Sequence, residues 1–249
     1  MLRLLAMGPG RLRLTEISTA LQLPKGTAHG ILRTLNEVGF VEQDRHSGRY
    51  QLGTALLELT SGDLDIHELR ARSMNWVDPL AARTGEAARV GVLAAGEVLL
   101  VHDVFRPDSS PQSTQVGALL PAHATALGKT LLAYSAGPRA LLPSPLPAYT
   151  KKTMTDRLCL LDELARVRER GYAVEFCEHI SDQAGIAVPI HGYGGLVVAA
   201  VAIQGDMDRL CTTSATARPH LLDQVTHCAQ AITRELKTAR QTATRGTIP

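Results

Sequence analysis

Apolar positions recur at helical spacing near the start of the chain and are broken once. Residues 15–22 carry Ile17, Ala20 and Leu21 on one face behind Thr15, a residue type suited to capping. Leu23-Pro24 ends that helix, because proline disfavours a helical conformation in the residue before it. A second helix is predicted over 25–38, with Ala28, Ile31, Leu32 and Leu35 at i, i+3, i+4 and i+7 as one buried stripe. Its other face, Lys25, Gly26, Thr27, His29, Gly30, Arg33 and Thr34, is small, hydrogen-bonding or basic and holds no carboxylate. Such a face enters a major groove without steric or electrostatic penalty. Residues 40–44 and 49–52 then read as strands paired across Arg45-His46-Ser47-Gly48, with Arg45, His46 and Arg49 at a tip suited to a phosphate backbone. Together these elements predict a winged helix-turn-helix on double-stranded DNA. Lys25, Thr27, His29, Arg33, Thr34, Arg45 and Arg49 are the expected contacts. An ordinary three-helix subdomain with a solvated hairpin leaves the joint occurrence of a groove-compatible face and a basic wing unexplained.

Ahead of this segment, residues 1–7 look like the end of a first helix, so that helix is expected to be short and its true start to lie upstream. Behind it, 54–59 is helical and Ser61-Gly62-Asp63 breaks it. A long amphipathic helix is predicted over 64–84, with Leu69, Met74, Trp76, Val77, Leu80 and Ala81 as apolar positions and Gly85 at its end. It reads as the arm joining two domains and as a dimer contact, or as a helix packed wholly inside its own domain. Strands are expected at 88–93 and 98–104 around Ala95-Gly96-Glu97, at 172–175, and at 186–190 and 196–203 around His191. Residues 108–119 read as a loop or edge strand, and 121–134 as an extended segment entering a helix. The proline-bearing stretch 137–150 is expected to be a surface loop, with Thr155 or Asp156 capping a helix that Gly171 stops. A last helix is expected over 217–237. Strands and helices mix without a strict βαβ repeat, which points to an α+β sensor-type domain with an antiparallel sheet and helices on its faces. The expected divisions are 1–62 for the winged helix, 63–84 for the linker helix, 85–237 for the sensor domain and 238–249 for a disordered tail.

Composition refines this picture. Hydrophobic residues make up 45% of the 249 and aromatics only 4%, so the core must be aliphatic and alanine-rich. The net charge of +2 does not by itself suggest nucleic acid. Residues 1–53, however, hold seven basic and four acidic residues, a net +3, whereas the remainder holds 19 basic and 20 acidic, a net −1. Positive charge is therefore concentrated where the DNA argument needs it. No apolar run reaches membrane-spanning length, and no signal peptide is expected. Cys159, Cys177, Cys211 and Cys228 show no CxxC pairing and are expected to be reduced and structural, in a cytoplasmic protein. Cys177-Glu178-His179 supplies neighbouring ligand types, but such a run does not make a site, and no metal or cofactor is expected. An enzyme using His123, Glu175 and Cys177 is the remote alternative. No Gly-x-Ser-x-Gly elbow, P-loop or dinucleotide fingerprint accompanies them. His123 is expected to hydrogen-bond a loop carbonyl, and His191 to be exposed at a turn. A DNA-binding module that senses nothing would not need the roughly 165 residues beyond the linker helix.

The residues now resemble the IclR family of bacterial transcription regulators over nearly the whole chain. The matching text is 25–35, Gly48-Arg49-Tyr50-Gln51-Leu52-Gly53, His123-Ala124-Thr125-Ala126-Leu127-Gly128-Lys129, Arg170-Gly171-Tyr172 and Ile186-Ala187-Val188-Pro189-Ile190. Within the family, 39–44, 67–72 and Val104-Phe105-Arg106-Pro107-Asp108 are most similar to the actinobacterial glycerol-operon regulators. The resemblance implies a winged helix, a GAF-like effector domain, homodimers or homotetramers on a palindromic operator, and a small polar metabolite as effector. It also implies a repressor released by ligand, with an activator of another catabolic pathway as the alternative. Coupling of about 1–3 kcal/mol is expected to pass along the linker helix as a population shift. The implied effector residues are Leu120, Ala126, Leu127, Glu175, Gly185, Ala202 and Gln204, with Lys129 expected to be solvated. Many family members carry a serine or cysteine at the position of Gly185 and serines at those of Ala202 and Gln204. Loss of those hydroxyls beside a retained Glu175 favours glycerol or glycerol 3-phosphate over a small organic acid. A helix beginning at Ala126 offers free N–H groups to an anion.

Overall fold

A computed structural model describes residues 1–7, 11–44, 47–53, 66–108, 112–135, 137–192 and 195–245. The chain divides into two compact units, Met1–Asp65 with His191–Leu196, and Ile66–Ile190 with Val197–Pro249. The expected helix at 54–59, its break at 61–63, and the tip residues Arg45 and His46 lie outside the described residues.

The first unit contains α1 (Leu2–Met7), α2 (Leu14–Ala20), α3 (Lys25–Glu37), β1 (Val41–Gln43) and β2 (Tyr50–Leu52). Short as α1 is, its Leu5 is buried with Ile17, Leu32, Val41 and Tyr50 in one apolar cluster. Thr15 is not the cap of α2. The Arg13 amide donates to Glu16 Oε2 at 2.6 Å, so the helix starts earlier and Thr15 lies within it. The buried stripe of α3 is narrower than its periodicity suggests. Ala28 and Leu32 are buried, but Ile31 is 40% exposed. The strands pair antiparallel, Val41 opposite Leu52 and Gln43 opposite Tyr50. Leu12 adds a bridge to Tyr50 that no local pattern signals. The base of the wing closes tightly: a Cβ on Gly53 would lie 2.1 Å from the Gly39 carbonyl oxygen, which restricts that position to glycine.

The second unit opens with α4 (Ile66–Thr84), followed by β3 (Ala87–Ala94), β4 (Glu97–Val104), β5 (Leu119–Pro121), α5 (Ala126–Tyr134), α6 (Pro138–Leu141) and α7 (Arg157–Arg170). β6 (Ala173–Phe176), β7 (Gln183–His191), β8 (Val197–Asp206), α8 (Met207–Leu210) and α9 (Pro219–Arg245) complete it. The sheet runs β5-β4-β3-β8-β7-β6, and each described register is antiparallel. The architecture is α+β, with α4 and α9 against one sheet face and α5 against the other. α4 buries Leu69, Val77, Leu80 and Ala81, whereas Met74 is exposed. Ser73 is buried on the same side because its hydroxyl donates to the Leu69 carbonyl, 2.7 Å away. Asp156, not Thr155, caps α7 by accepting from the Leu158 and Cys159 amides. The expected loop 137–150 contains the short α6, and α9 continues past Lys237 to Arg245. Cys159 is exposed, contrary to the structural role expected of it, while Cys177, Cys211 and Cys228 are buried free thiols.

Candidate functional site

On α3, Lys25, Gly26, Thr27, His29, Gly30, Arg33 and Thr34 are all exposed. A Cβ added at Gly26 or Gly30 would meet nothing within 4 Å. Packing inside the unit therefore gives neither glycine a reason to be there, and each weakens the helix by about 1 kcal/mol relative to alanine. The face is not free of carboxylates, since Arg33 Nε donates to Glu37 Oε1 at 3.0 Å. Both side chains are well exposed, so the pair contributes at most about 0.5 kcal/mol and leaves Arg33 able to exchange partners. Arg49, in the connection between β1 and β2, lies half-buried, and its Nη1 donates to the Arg11 carbonyl at 3.2 Å.

In the second unit the residues expected around an effector gather on the α5 side of the sheet. Ala126, Leu127 and Ala202 are buried in one apolar cluster, and Leu120 packs against it. Gly185 faces Glu175 across the β6–β7 ladder. A Cβ there would stand 3.2 Å from Ala126 Cβ and 3.3 Å from Glu175 Oε2, so these three residues meet. Thr125 caps α5 by accepting from the Gly128 amide at 3.2 Å. The N–H groups of Ala126 and Leu127 ahead of it have no intrahelical acceptor, as the first turn of any helix requires. Gln204 donates to Gln183 Oε1 at 2.9 Å and accepts from Arg89.

Glu175 is buried, and its Oε1 accepts from the Glu178 and His179 amides, each at 3.1 Å. Its Oε2 has no partner among the described residues. Burial pushes this carboxyl up to about 7, against the pull of the His179 amide and the Lys129 charge. Near neutral pH the group can therefore donate as well as accept. Lys129 is not solvated. Its Nζ sits 2.6 Å from Glu178 Oε1, and both side chains are buried. This pair ties α5 to the segment after β6.

No motif marks Arg89 in the sequence. It is the only charged residue of β3 and lies in register with Ala202 and with Asp103, which places it on the α5 side. A lone charge in an otherwise apolar strand was the available signal. The neighbouring His102 points the other way, its Nε2 3.0 Å from Asp78 Oδ1 on α4. Around the same region His179 is held below the usual imidazole range, first by burial and then by Arg89 and His123. The His123 Nε2 meets the Pro147 carbonyl at 2.8 Å, the loop contact expected of it. Cys177 cannot serve as a ready thiolate: burial pushes its thiol up, and its Sγ donates to Met207 Sδ at 3.3 Å. Glu178 of the Cys177-Glu178-His179 run is committed to Lys129, and His191 is half-buried at the end of β7 rather than exposed.

Comparison with known proteins bears on both regions. Residues 1–45 match the model of the IclR helix-turn-helix domain, and residues 62–234 match that of the bacterial transcriptional regulator IclR C-terminal domain. The chain is 48% identical to the glycerol operon regulatory protein of Streptomyces coelicolor and 45% identical to that of Streptomyces griseus. Each alignment covers 96% of this chain and 94% of the relative. Among solved structures it is similar to an IclR homologue from Microbacterium hydrocarbonoxydans complexed with 4-hydroxybenzoate. That match has a TM-score of 0.61 at 27% identity and covers 91% of this chain and 92% of the other. No helix among the described residues is long and apolar enough to cross a membrane. These matches make the protein a DNA-binding, effector-binding regulator rather than an enzyme, and the chain belongs to the IclR family of bacterial transcriptional regulators.

Proposed function

We propose that this protein is a repressor of a glycerol-type catabolic operon whose operator affinity is changed by a small polyol or its phosphate ester. The observation that carries this reading is the 45–48% identity to two glycerol operon regulatory proteins over 96% of the chain. The chemistry of the sheet face supports it. A ligand lying against Gly185 meets Glu175 Oε2, which exchanges hydrogen bonds with hydroxyls, and the first-turn amides of α5, which suit an anionic end. The small hydroxyl side chains that would serve an α-keto acid are absent at Gly185 and Ala202. Leu120, Ala126, Leu127, Glu175, Gly185, Ala202 and Gln204 are the proposed effector residues.

On the DNA side, Lys25, Thr27, His29, Arg33 and Thr34 are the proposed contacts from α3, with Arg45 and Arg49 from the wing. The protein acts as a homodimer or homotetramer on a palindromic operator, matching the symmetry of paired half-sites. The test is fluorescence anisotropy on DNA from upstream of the glycerol genes, with glycerol, glycerol 3-phosphate, pyruvate and glyoxylate as competing effectors. A glycerol compound should release the DNA, and Arg33→Ala should weaken binding and lower the salt slope by about 1. Release by pyruvate or glyoxylate alone would overturn the glycerol assignment. An unchanged slope for Arg33→Ala would remove that residue from the DNA-facing surface.

A further inference from the structure

Arg89 is placed with more care than a strand-pairing ion pair requires. On either side of it in β3, Ala88 and Val90 are fully buried on the opposite face. Its side chain retains 16% exposure, on the α5 side of the sheet. Nε donates to Asp103 Oδ1 at 2.9 Å, and Nη1 donates to Gln204 Oε1. Each of these acceptors is itself fixed. Asp103 Oδ2 accepts from the Gln115 amide at 2.9 Å, and Gln204 Nε2 donates to Gln183 Oε1 at 2.9 Å. A pair that only joined β3 to β4 would need Asp103 alone. Gln204 and Gln183, on β8 and β7, fix a second edge of the guanidinium as well. The remaining nitrogen, Nη2, makes no hydrogen bond among the described residues.

The other cation close to this face is spent, because Lys129 is buried against Glu178. Among the described residues of this face, Arg89 therefore keeps a guanidinium nitrogen for a ligand that lies over Gly185 and Ala202. Its charge already reaches His179, whose amide holds Glu175, so both ends of such a ligand fall within one electrostatic neighbourhood.

We propose that Arg89 is the specificity-determining residue of the effector site, its free Nη2 edge taking oxygens of a phosphomonoester so that a phosphorylated small polyol is preferred over the free polyol. Charge-assisted hydrogen bonds from a pre-oriented guanidinium to phosphate are among the stronger polar contacts a protein makes. Asp103 offsets part of the Arg89 charge, so the second negative charge of the ester falls to the α5 amides. This inference rests on the assignment of the sheet face as the effector site.

The test is titration calorimetry on the full chain with glycerol 3-phosphate, glycerol and inorganic phosphate. Arg89→Gln alone leaves Asp103 buried without its counter-ion, so Arg89→Gln with Asp103→Asn is measured beside it. Operator binding checks that each variant is folded. The wild type should bind glycerol 3-phosphate at least tenfold more tightly than either glycerol or inorganic phosphate. In the double variant that preference should shrink to within about threefold while glycerol affinity is retained, a change in ratio that a merely structural Arg89 would not produce. A preference that survives in the double variant overturns the inference. So does a wild type that favours free glycerol, in which case the effector-site assignment stands. Binding of none of the three by a protein that still holds its operator takes down both.

Discussion

On α3, the side chains proposed to meet DNA lie between Lys25 and Thr34 and face solvent, and two of the positions are glycines with nothing opposite them. On the sheet face, the proposed effector residues come from β5, α5, β6, β7 and β8, and the polar side chains among them, Glu175 and Gln204, are partly satisfied by neighbouring residues. The first surface is cheap to hold and unfinished without its partner. The second is costly to hold, because every buried charge on it needs a counter-charge in place. Mutations should therefore separate the two: changes on α3 should be read mainly in binding, and changes under α5 mainly in stability.

The largest effect is expected at Lys129. Lys129→Met strands Glu178 without its partner in a buried site, where breaking an ion pair costs about 3–5 kcal/mol. Urea unfolding should show that loss, and Glu178→Gln in the same chain should recover much of it. The exposed Arg33–Glu37 pair provides the contrast, since its removal should cost no more than about 0.5 kcal/mol. A cost below about 1 kcal/mol for Lys129→Met would mean that the two regions do not differ as described.

That contrast also explains what the sequence made legible. The solvent-facing surface of α3 was readable because a helix brings neighbours in the chain onto one surface, and its glycines and absent bulky side chains were visible as text. The sheet and its helices followed from alternation and punctuation, down to Gly85 and Gly171 as helix ends. Boundary errors arose where a side chain did what another was expected to do, as with Glu16 closing the start of α2 instead of Thr15. The interior pairs were not readable. Nothing local says that Lys129 will meet Glu178 or that Arg89 will meet Gln204, because those partners are chosen by sheet order and by helix docking. Leu12 joining Tyr50 in the first unit failed to show for the same reason.

Glu175 gives a test of intermediate size. The fold holds its neutral form, so between pH 4.5 and about 7 the folded state carries a proton that the unfolded chain has released. Its contribution is fully present below pH 4.5 and is lost as pH rises through about 7, a change of about 3 kcal/mol at most. Glu175→Gln keeps an acceptor for the Glu178 and His179 amides and removes the titration. The stability difference between wild type and variant, followed by urea unfolding across this window, should therefore slope against the wild type with rising pH. A difference that stays flat with pH would mean that Glu175 is better solvated than its burial indicates, and the sheet face would lose part of its contrast with α3.

The smallest effect sharpens the comparison from the other side. An alanine at Gly30 meets no atom within 4 Å and removes the conformational cost of glycine in a helix, so Gly30→Ala should stabilise the free protein by up to about 1 kcal/mol. The same methyl would stand on the surface proposed to enter the groove, where it separates the backbone from the base edges. Stability and operator affinity should consequently move in opposite directions, the first rising in urea unfolding and the second falling in anisotropy titrations. If affinity held while stability rose, Gly30 would lie off the DNA-facing side, and the proposed contact surface of α3 would have to turn away from Gly30 and Gly26 toward Arg33.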